Sequence, residues 1–369
     1  MLSVTLAHAQ GYGCAARLHA ARAEGANNTG ARLMQQVVLE APRQVRVVDA
    51  PAATQGAGEA VVRLRLAGIC GSDLAAYRGT SPLVSYPRVL GHELLVDVLA
   101  CPDRPALVGQ RAVVDPMTHC SHCRACRAGR YNCCANLEVM GVHVDGGLQE
   151  INVLPISRLF AVPAALPDHV AVLAEPLTVA YHAVERSRIR AGETAVVFGA
   201  GTIGLLIAQL LMRARGCRAL VIDVAAGRLL IAQALGATPL QGDEPSLRKA
   251  VAQATGGEMA AVVFEATGVA ACTRMTTSLV AQAGTIVLIG WNKGPVELDT
   301  VTLMRKEVDL RGSRNSVNAF PSVLQLLADG IIDTASMITQ RFGLDAAGAA
   351  LDMLDREQDN ALKIVLEAH

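Results

Sequence analysis

The stretch Val196-Val197-Phe198-Gly199-Ala200-Gly201-Thr202-Ile203-Gly204 decides how this chain is read. An apolar run, Thr194–Phe198, enters a GxGxxG turn and leaves it into a helical pattern from Thr202 to Arg215. In such a turn Gly199 permits the tight bend, Gly201 lets the backbone approach a pyrophosphate, and Gly204 lets the helix close on the strand. The helix start at Thr202 and Ile203 turns free N–H groups and the positive end of a dipole toward phosphates. A second apolar run, Ala219–Asp223, ends in an acid nineteen residues after Gly204. That is close to the offset at which a carboxylate meets the adenosine ribose 2′-hydroxyl. An acid there repels a 2′-phosphate, so the expected cofactor is NAD rather than NADP. Arg228, in the next helical stretch, is counted with the cofactor-binding residues.

Working outward, Leu229–Leu235 reads as helix, and Val262–Phe264 and Thr285–Ile289 as strands. Strands alternating with helices mean a doubly wound parallel sheet. The region before it has another texture. From Gln35 to Ala67 apolar residues alternate (Val37, Leu39, Val45, Val47, Val62, Leu64, Leu66), and short strands near Leu94–Leu99 and Arg111–Asp115 continue the β-rich pattern to about Pro163. Helices at Ser322–Ala328 and Ala346–Leu354 and a strand at Ala361–Leu366 close the chain. At 369 residues two domains are expected. A formal net charge of +0 and 3% aromatic residues give no basic patch for nucleic acid or an anionic membrane. No apolar run is long enough to span a bilayer. Residues 1–33 are rich in Ala, Gly and Asn and lack an apolar signal core, so they read as a disordered or artefactual extension before Met34.

Ten cysteines raise the question of disulfides. Cys120, Cys123, Cys126, Cys133 and Cys134 crowd into fifteen residues, which fits metal binding in a reducing cytoplasm better than a disulfide scaffold. The spacing Cys120-x2-Cys123-x2-Cys126-x7-Cys134 offers four thiolates in one loop. Zinc takes four such ligands tetrahedrally, and the closed shell makes the site structural. Cys133 is the ambiguous member, and His119 and His122 are expected at the surface. A second set is dispersed: Cys70 in Gly68-Ile69-Cys70-Gly71-Ser72-Asp73, His92 and Glu93 in Gly91-His92-Glu93, and Glu175 in Ala174-Glu175-Pro176-Leu177. A thiolate, an imidazole and a carboxylate from separate segments suit an open, catalytic zinc site, so two zincs per chain are expected.

These motifs in this order, from about Met34 to the end, resemble the zinc-containing medium-chain dehydrogenase/reductase family. The resemblance implies an α/β fold with a chaperonin-10-like β-barrel catalytic domain (34–178, carrying the structural zinc lobe, with 312–369 returning to it) and an inserted NAD-binding Rossmann domain (179–311). Carried onto this sequence, Cys70 and His92 become catalytic zinc ligands, and Glu93 and Glu175 the two carboxylates near that zinc. Glu175 stands where polyol dehydrogenases have this acid and many simple alcohol dehydrogenases a Cys. Ser72 matches the hydroxyl that relays the alcohol proton toward the nicotinamide ribose. Ala75 stands where some alcohol dehydrogenases place a relay His, and Ala76 where some polyol dehydrogenases have a Tyr just ahead of Tyr77. Family members are homodimers or homotetramers.

Within the family, Tyr77-Arg78-Gly79 with Tyr86-Pro87-Arg88-Val89, Gly141-Val142-His143-Val144-Asp145-Gly146-Gly147, and Gly312-Ser313-Arg314-Asn315-Ser316 look like the sugar-acid and polyol branch, such as L-galactonate and L-gulonate oxidoreductases and sorbitol dehydrogenase. The implied reaction is zinc-dependent oxidation of a secondary alcohol of an aldonate or polyol, with hydride passing to NAD. Arg314 is expected in the substrate cleft, where a guanidinium binds an aldonate carboxylate in bidentate fashion. Rival readings are oxidation of a neutral polyol, 2,3-butanediol or threonine, and an NAD-binding regulator without turnover.

Overall fold

The computed structural model describes residues 33–292, 294–357 and 361–368. Of the extension assigned to residues 1–33, all but Leu33 lies outside the described residues.

The strand that opens the glycine turn, Thr194–Phe198, sits inside a six-stranded parallel sheet. Across the sheet the strands run Thr238–Leu240, Arg218–Ile222, Thr194–Phe198, Ala260–Glu265, Val280–Leu288, Asp309–Gly312. In chain order that is 3-2-1-4-5-6, so the winding reverses beside Thr194–Phe198 and opens a crevice at the carboxyl ends of the strands. Ala195, Val197, Val221, Phe264 and Val287 join one core cluster with Leu205, Leu206 and Leu211. Val196, Phe198, Leu220, Ile222, Val263 and Ile286 join another with Leu247 and Val251. Both faces are covered, which is why the strands read as unbroken apolar runs rather than alternating ones. Each fully buried side chain of this size contributes about 1.5–3 kcal/mol. The expected helix over Thr202–Arg215 is α-helical from Thr202 to Gln209 and widens to a π-helical turn at Leu210–Ala214.

The other large sheet has seven strands and mixed pairing. Its path is Leu159–Ala161, Arg111–Val114, Glu93–Ala100, Glu59–Gly68, Lys363–Glu367 and Ile338–Gly343, with Ile151–Pro155 also on Glu59–Gly68. The chain's last strand therefore pairs with one of its first: Val365 lies opposite Gly68 in antiparallel register. The helix Ala174–Ser187 leads from this sheet to the parallel one, and its Leu177, Ala180 and Val184 pack in the same cluster as Leu66 and Leu95. Phe160 stacks on Phe320 with ring centroids 4.8 Å apart, tying the strand Leu159–Ala161 to the helix Phe320–Ala328. A short pair, Met117–Thr118 with Glu138–Val139, closes the base of the cysteine loop.

Candidate metal centres and cofactor cleft

The cysteine loop folds so that Cys120, Cys123, Cys126 and Cys134 place their sulfurs within 4.8 Å of one another. Cys123 stands just before the helical turn Arg124–Arg127, and Cys134 follows the turn Tyr131–Cys133. Backbone N–H groups point at the sulfurs: Cys123 donates to Cys120 Sγ at 3.4 Å, and Cys120 and Asn136 donate to Cys134 Sγ at 3.3 Å each. The Cys120 and Cys134 sulfurs lie 3.4 Å apart. Four sulfurs this close suit a tetrahedral zinc with bonds of about 2.3 Å. Backbone donors at Cys126 and Ala135 bring the Cys123 thiol down to about 6, whereas burial pushes the Cys126 thiol up to about 12. Cys133 is not in the set; its sulfur lies 3.8 Å from the Arg130 guanidinium. His119 and His122 are exposed and outside the set as well.

The dispersed residues come together in part. Cys70 caps the helix Gly71–Tyr77, and its N–H donates to Asp73 Oδ2 at 2.9 Å. His92 and Glu93 lead into the strand Glu93–Ala100, whose first residue lies opposite Gly68. A Cβ at Gly68 would stand 2.0 Å from Glu93 Oε2, so only glycine leaves room for that carboxylate. Cys70, His92 and Glu93 hold their ligand atoms within 4.8 Å of one another, a soft and a hard donor around an imidazole, as an open zinc site requires. Ser72 Oγ is 3.4 Å from His92 Nε2. Glu175, in the first turn of Ala174–Ser187, is buried but stands outside the 4.8 Å set. It nevertheless feels that set: burial, then the Glu93 charge, push it up to about 7 against the opposing charges of His92 and Lys363. For His92 burial works downward, but the charges of Asp73 and Cys70 outweigh it and carry the imidazole well above its ordinary value.

Lys363 had no place in the sequence reading. Its Nζ is 2.7 Å from both Glu93 oxygens and 3.0 Å from the Ile69 carbonyl, at 2% exposure. Asp73 was also passed over; it is buried, 3.7 Å from His92 Nδ1, which has no hydrogen-bond partner among the described residues. The available signal for Lys363 was a lone cation inside the apolar run Ala361–Leu366, since a buried charge demands a partner. Tyr77 is used elsewhere: its hydroxyl donates to Asp352 and fixes Gly71–Tyr77 on the helix Ala347–Arg356.

At the glycine turn, Gly199 has φ +97, and a Cβ on Gly204 would meet the Gly199 carbonyl at 1.8 Å. Asp223 accepts from Ala200 N–H at 2.6 Å and Ala225 N–H at 2.9 Å, so the acid that ends the second strand braces the turn. Thr202 Oγ1 donates to the Leu362 carbonyl at 3.3 Å, while Ile203 packs against the core. Beside Gly201 the space is open, and Arg228 Nη1 would be the nearest atom to a Cβ there, at 3.9 Å. Arg314 lies in a cleft with Trp291, its Cζ 5.9 Å from the ring centroid; Arg130 and Arg186, absent from the sequence reading, line the same cleft.

A family model described as the alcohol dehydrogenase GroES-like domain matches residues 56–164, and one described as zinc-binding dehydrogenase matches residues 202–329. An uncharacterized zinc-type alcohol dehydrogenase-like protein of Haemophilus influenzae is 37% identical over 90% of this chain and 98% of its own length. The L-galactonate-5-dehydrogenase of Escherichia coli K12 is 33% identical over 84% and 92%. Among solved structures, a short chain alcohol dehydrogenase (rspB) of Escherichia coli CFT073, complexed with NADH, matches with a TM-score of 0.86 at 33% identity, over 91% of this chain and 99% of that one.

Proposed function

Because the chain belongs to the zinc-type alcohol dehydrogenase family, we propose that it oxidises a secondary alcohol of a sugar acid or polyol and passes the hydride to NAD. The convergence of Cys70, His92 and Glu93 within 4.8 Å carries this reading. Zinc bound there would supply Lewis acidity that lowers the alcohol's pKa. Cys70, His92 and Glu93 form the protein's ligand set, and Glu175, outside it but within reach of the His92 and Glu93 charges, supports it as an outer carboxylate. Lys363 fixes the Glu93 carboxylate and offsets the charge of the set. Ser72 takes the alcohol proton, since its hydroxyl is within reach of His92 and so of the metal position. Gly199, Gly201, Thr202, Ile203 and Gly204 hold the pyrophosphate, with Arg228 beside them. Asp223 selects NAD over NADP, and Arg314 meets the substrate. Cys120, Cys123, Cys126 and Cys134 hold a second, structural zinc. The protein acts as a homodimer or homotetramer in the cytoplasm.

An NAD-reduction screen over aldonates and polyols, repeated after chelation and with NADP, tests the reading. Turnover that needs metal and prefers NAD, with about two zincs per chain by metal analysis, is the expected result. No turnover on any alcohol, or undiminished turnover without metal, would overturn it.

A further inference from the structure

Three arginines from separate segments line one cleft of about 530 Å³. Arg130 comes from the cysteine loop, Arg186 from the last turn of Ala174–Ser187, and Arg314 from the segment after Asp309–Gly312. Among the described residues no acidic side chain lines the cleft. Among the described residues, no carboxylate stands at ion-pair distance from any of the three. Their charge registers on their neighbours. Burial, then Arg130 and Arg311, hold Arg186 below the ordinary guanidinium value. Burial, then Arg186 and Arg130, bring His182 on the same helix down to about 4. Burial, then Arg314, lower His143. The cleft also carries orphaned polar atoms: Ser313 Oγ, on a residue 8% exposed, and Asn292 Oδ1 are buried without partners among the described residues. Like charges gathered without a counter-charge cost free energy, and an anion relieves it through charge-assisted hydrogen bonds.

We propose that Arg130, Arg186 and Arg314 form an anion subsite for the terminal carboxylate or phosphate of an acyclic, polyol-like substrate, with the Ser313 hydroxyl as a further donor. This rests on the dehydrogenase reading and names its substrate class. Glu175 and Arg186 occupy opposite ends of one helix, eleven residues or about 16 Å apart at 1.5 Å per residue. In this proposal the subsite takes the far end of a substrate whose reacting hydroxyl is at the metal.

The test uses the zinc-loaded, full-length enzyme with NAD. Trp291, the chain's one tryptophan, lies under Arg314 and reports on the cleft by its emission. Titration with D-gluconate and with inorganic phosphate is expected to change that emission saturably. The half-saturation point should rise roughly tenfold or more in each of Arg130→Gln, Arg186→Gln and Arg314→Gln, the loss expected for a hydrogen bond to a charged group. Arg186→Lys, which keeps the charge, recovers part of the affinity. In turnover, the ratio of kcat/KM on D-gluconate or sorbitol 6-phosphate to that on sorbitol falls in the same variants. The preferred member of the two anionic substrates tells sugar acid from sugar phosphate. Emission that saturates with neither anion, or variants that lose anionic and neutral turnover in equal measure, would overturn the subsite. Absence of turnover on every alcohol would sink the dehydrogenase reading instead, and the tryptophan titration would still decide the subsite.

Discussion

Lys363 lies 270 positions from Glu93 in the sequence and 2.7 Å from it in the fold. Removing one member of a buried ion pair leaves the other charge uncompensated, which costs about 3–5 kcal/mol. Lys363→Met is therefore expected to destabilise the chelated protein by that order. Combining it with Glu93→Gln should cost less than the two single changes added together, as urea unfolding of all four forms will show. No local pattern announces such a pair, so the sequence reading held Glu93 and missed the group that holds it. Cys133 and Cys134 make the complementary case. Adjacent in sequence, they differ in the fold: Cys134 faces three other sulfurs and Cys133 faces Arg130. Cys134→Ser should remove one zinc of about two per chain and Cys133→Ser none, by metal analysis of the purified variants. Ligand spacing made four of these cysteines legible, but only packing could choose between neighbours.

At the scale of elements, the glycine turn is the best-read part of the chain because its constraint is local. The 1.8 Å approach of a Gly204 Cβ to the Gly199 carbonyl belongs to one strand, one turn and one helix. Gly204→Ala must push the helix Thr202–Gln209 off its strand, and NAD binding by calorimetry should weaken roughly tenfold or more, as a misplaced dinucleotide site implies. The helix Ala174–Ser187 was less legible, since what it brings together arrives from elsewhere. It holds Glu175 within reach of the His92 and Glu93 charges, His182 within reach of the Arg186 and Arg130 charges, and Arg186 in the cleft. His182 has a folded value of about 4, against an unfolded value of about 6.5. Between those limits the unfolded chain binds the proton that the folded chain refuses, so acid favours unfolding. Its contribution to stability is complete above about 6.5 and declines as pH falls toward about 4. His182→Gln should flatten the fall of the urea midpoint over that window; an identical slope in wild type and variant would remove His182 from the account.

At the scale of the whole molecule, the parallel sheet ends in an open edge. The strand Asp309–Gly312 pairs only with Val280–Leu288 among the described strands, so its outer N–H and C=O groups face away from the sheet. Leu310 on that strand is 44% exposed, and the helix just before it, Thr300–Lys306, exposes Val301 at 66% and Met304 at 74%. A free edge flanked by exposed apolar side chains invites pairing with a second chain. A second copy, edge against edge about a two-fold axis, satisfies both the backbone groups and the apolar side chains, because the same patch serves on each side. The sequence reading could not suggest this, since it named Thr285–Ile289 as a strand and gave Asp309–Gly312 no element. The four residues are short and mostly exposed, and without burial they carry no apolar period to read. Light scattering behind size exclusion is expected to give a dimer or tetramer for the wild type. Val301→Asp with Met304→Asp should lower the assembly state while each chain keeps its zinc. A wild-type mass of one chain, or a double variant still fully assembled, would move the interface off this edge.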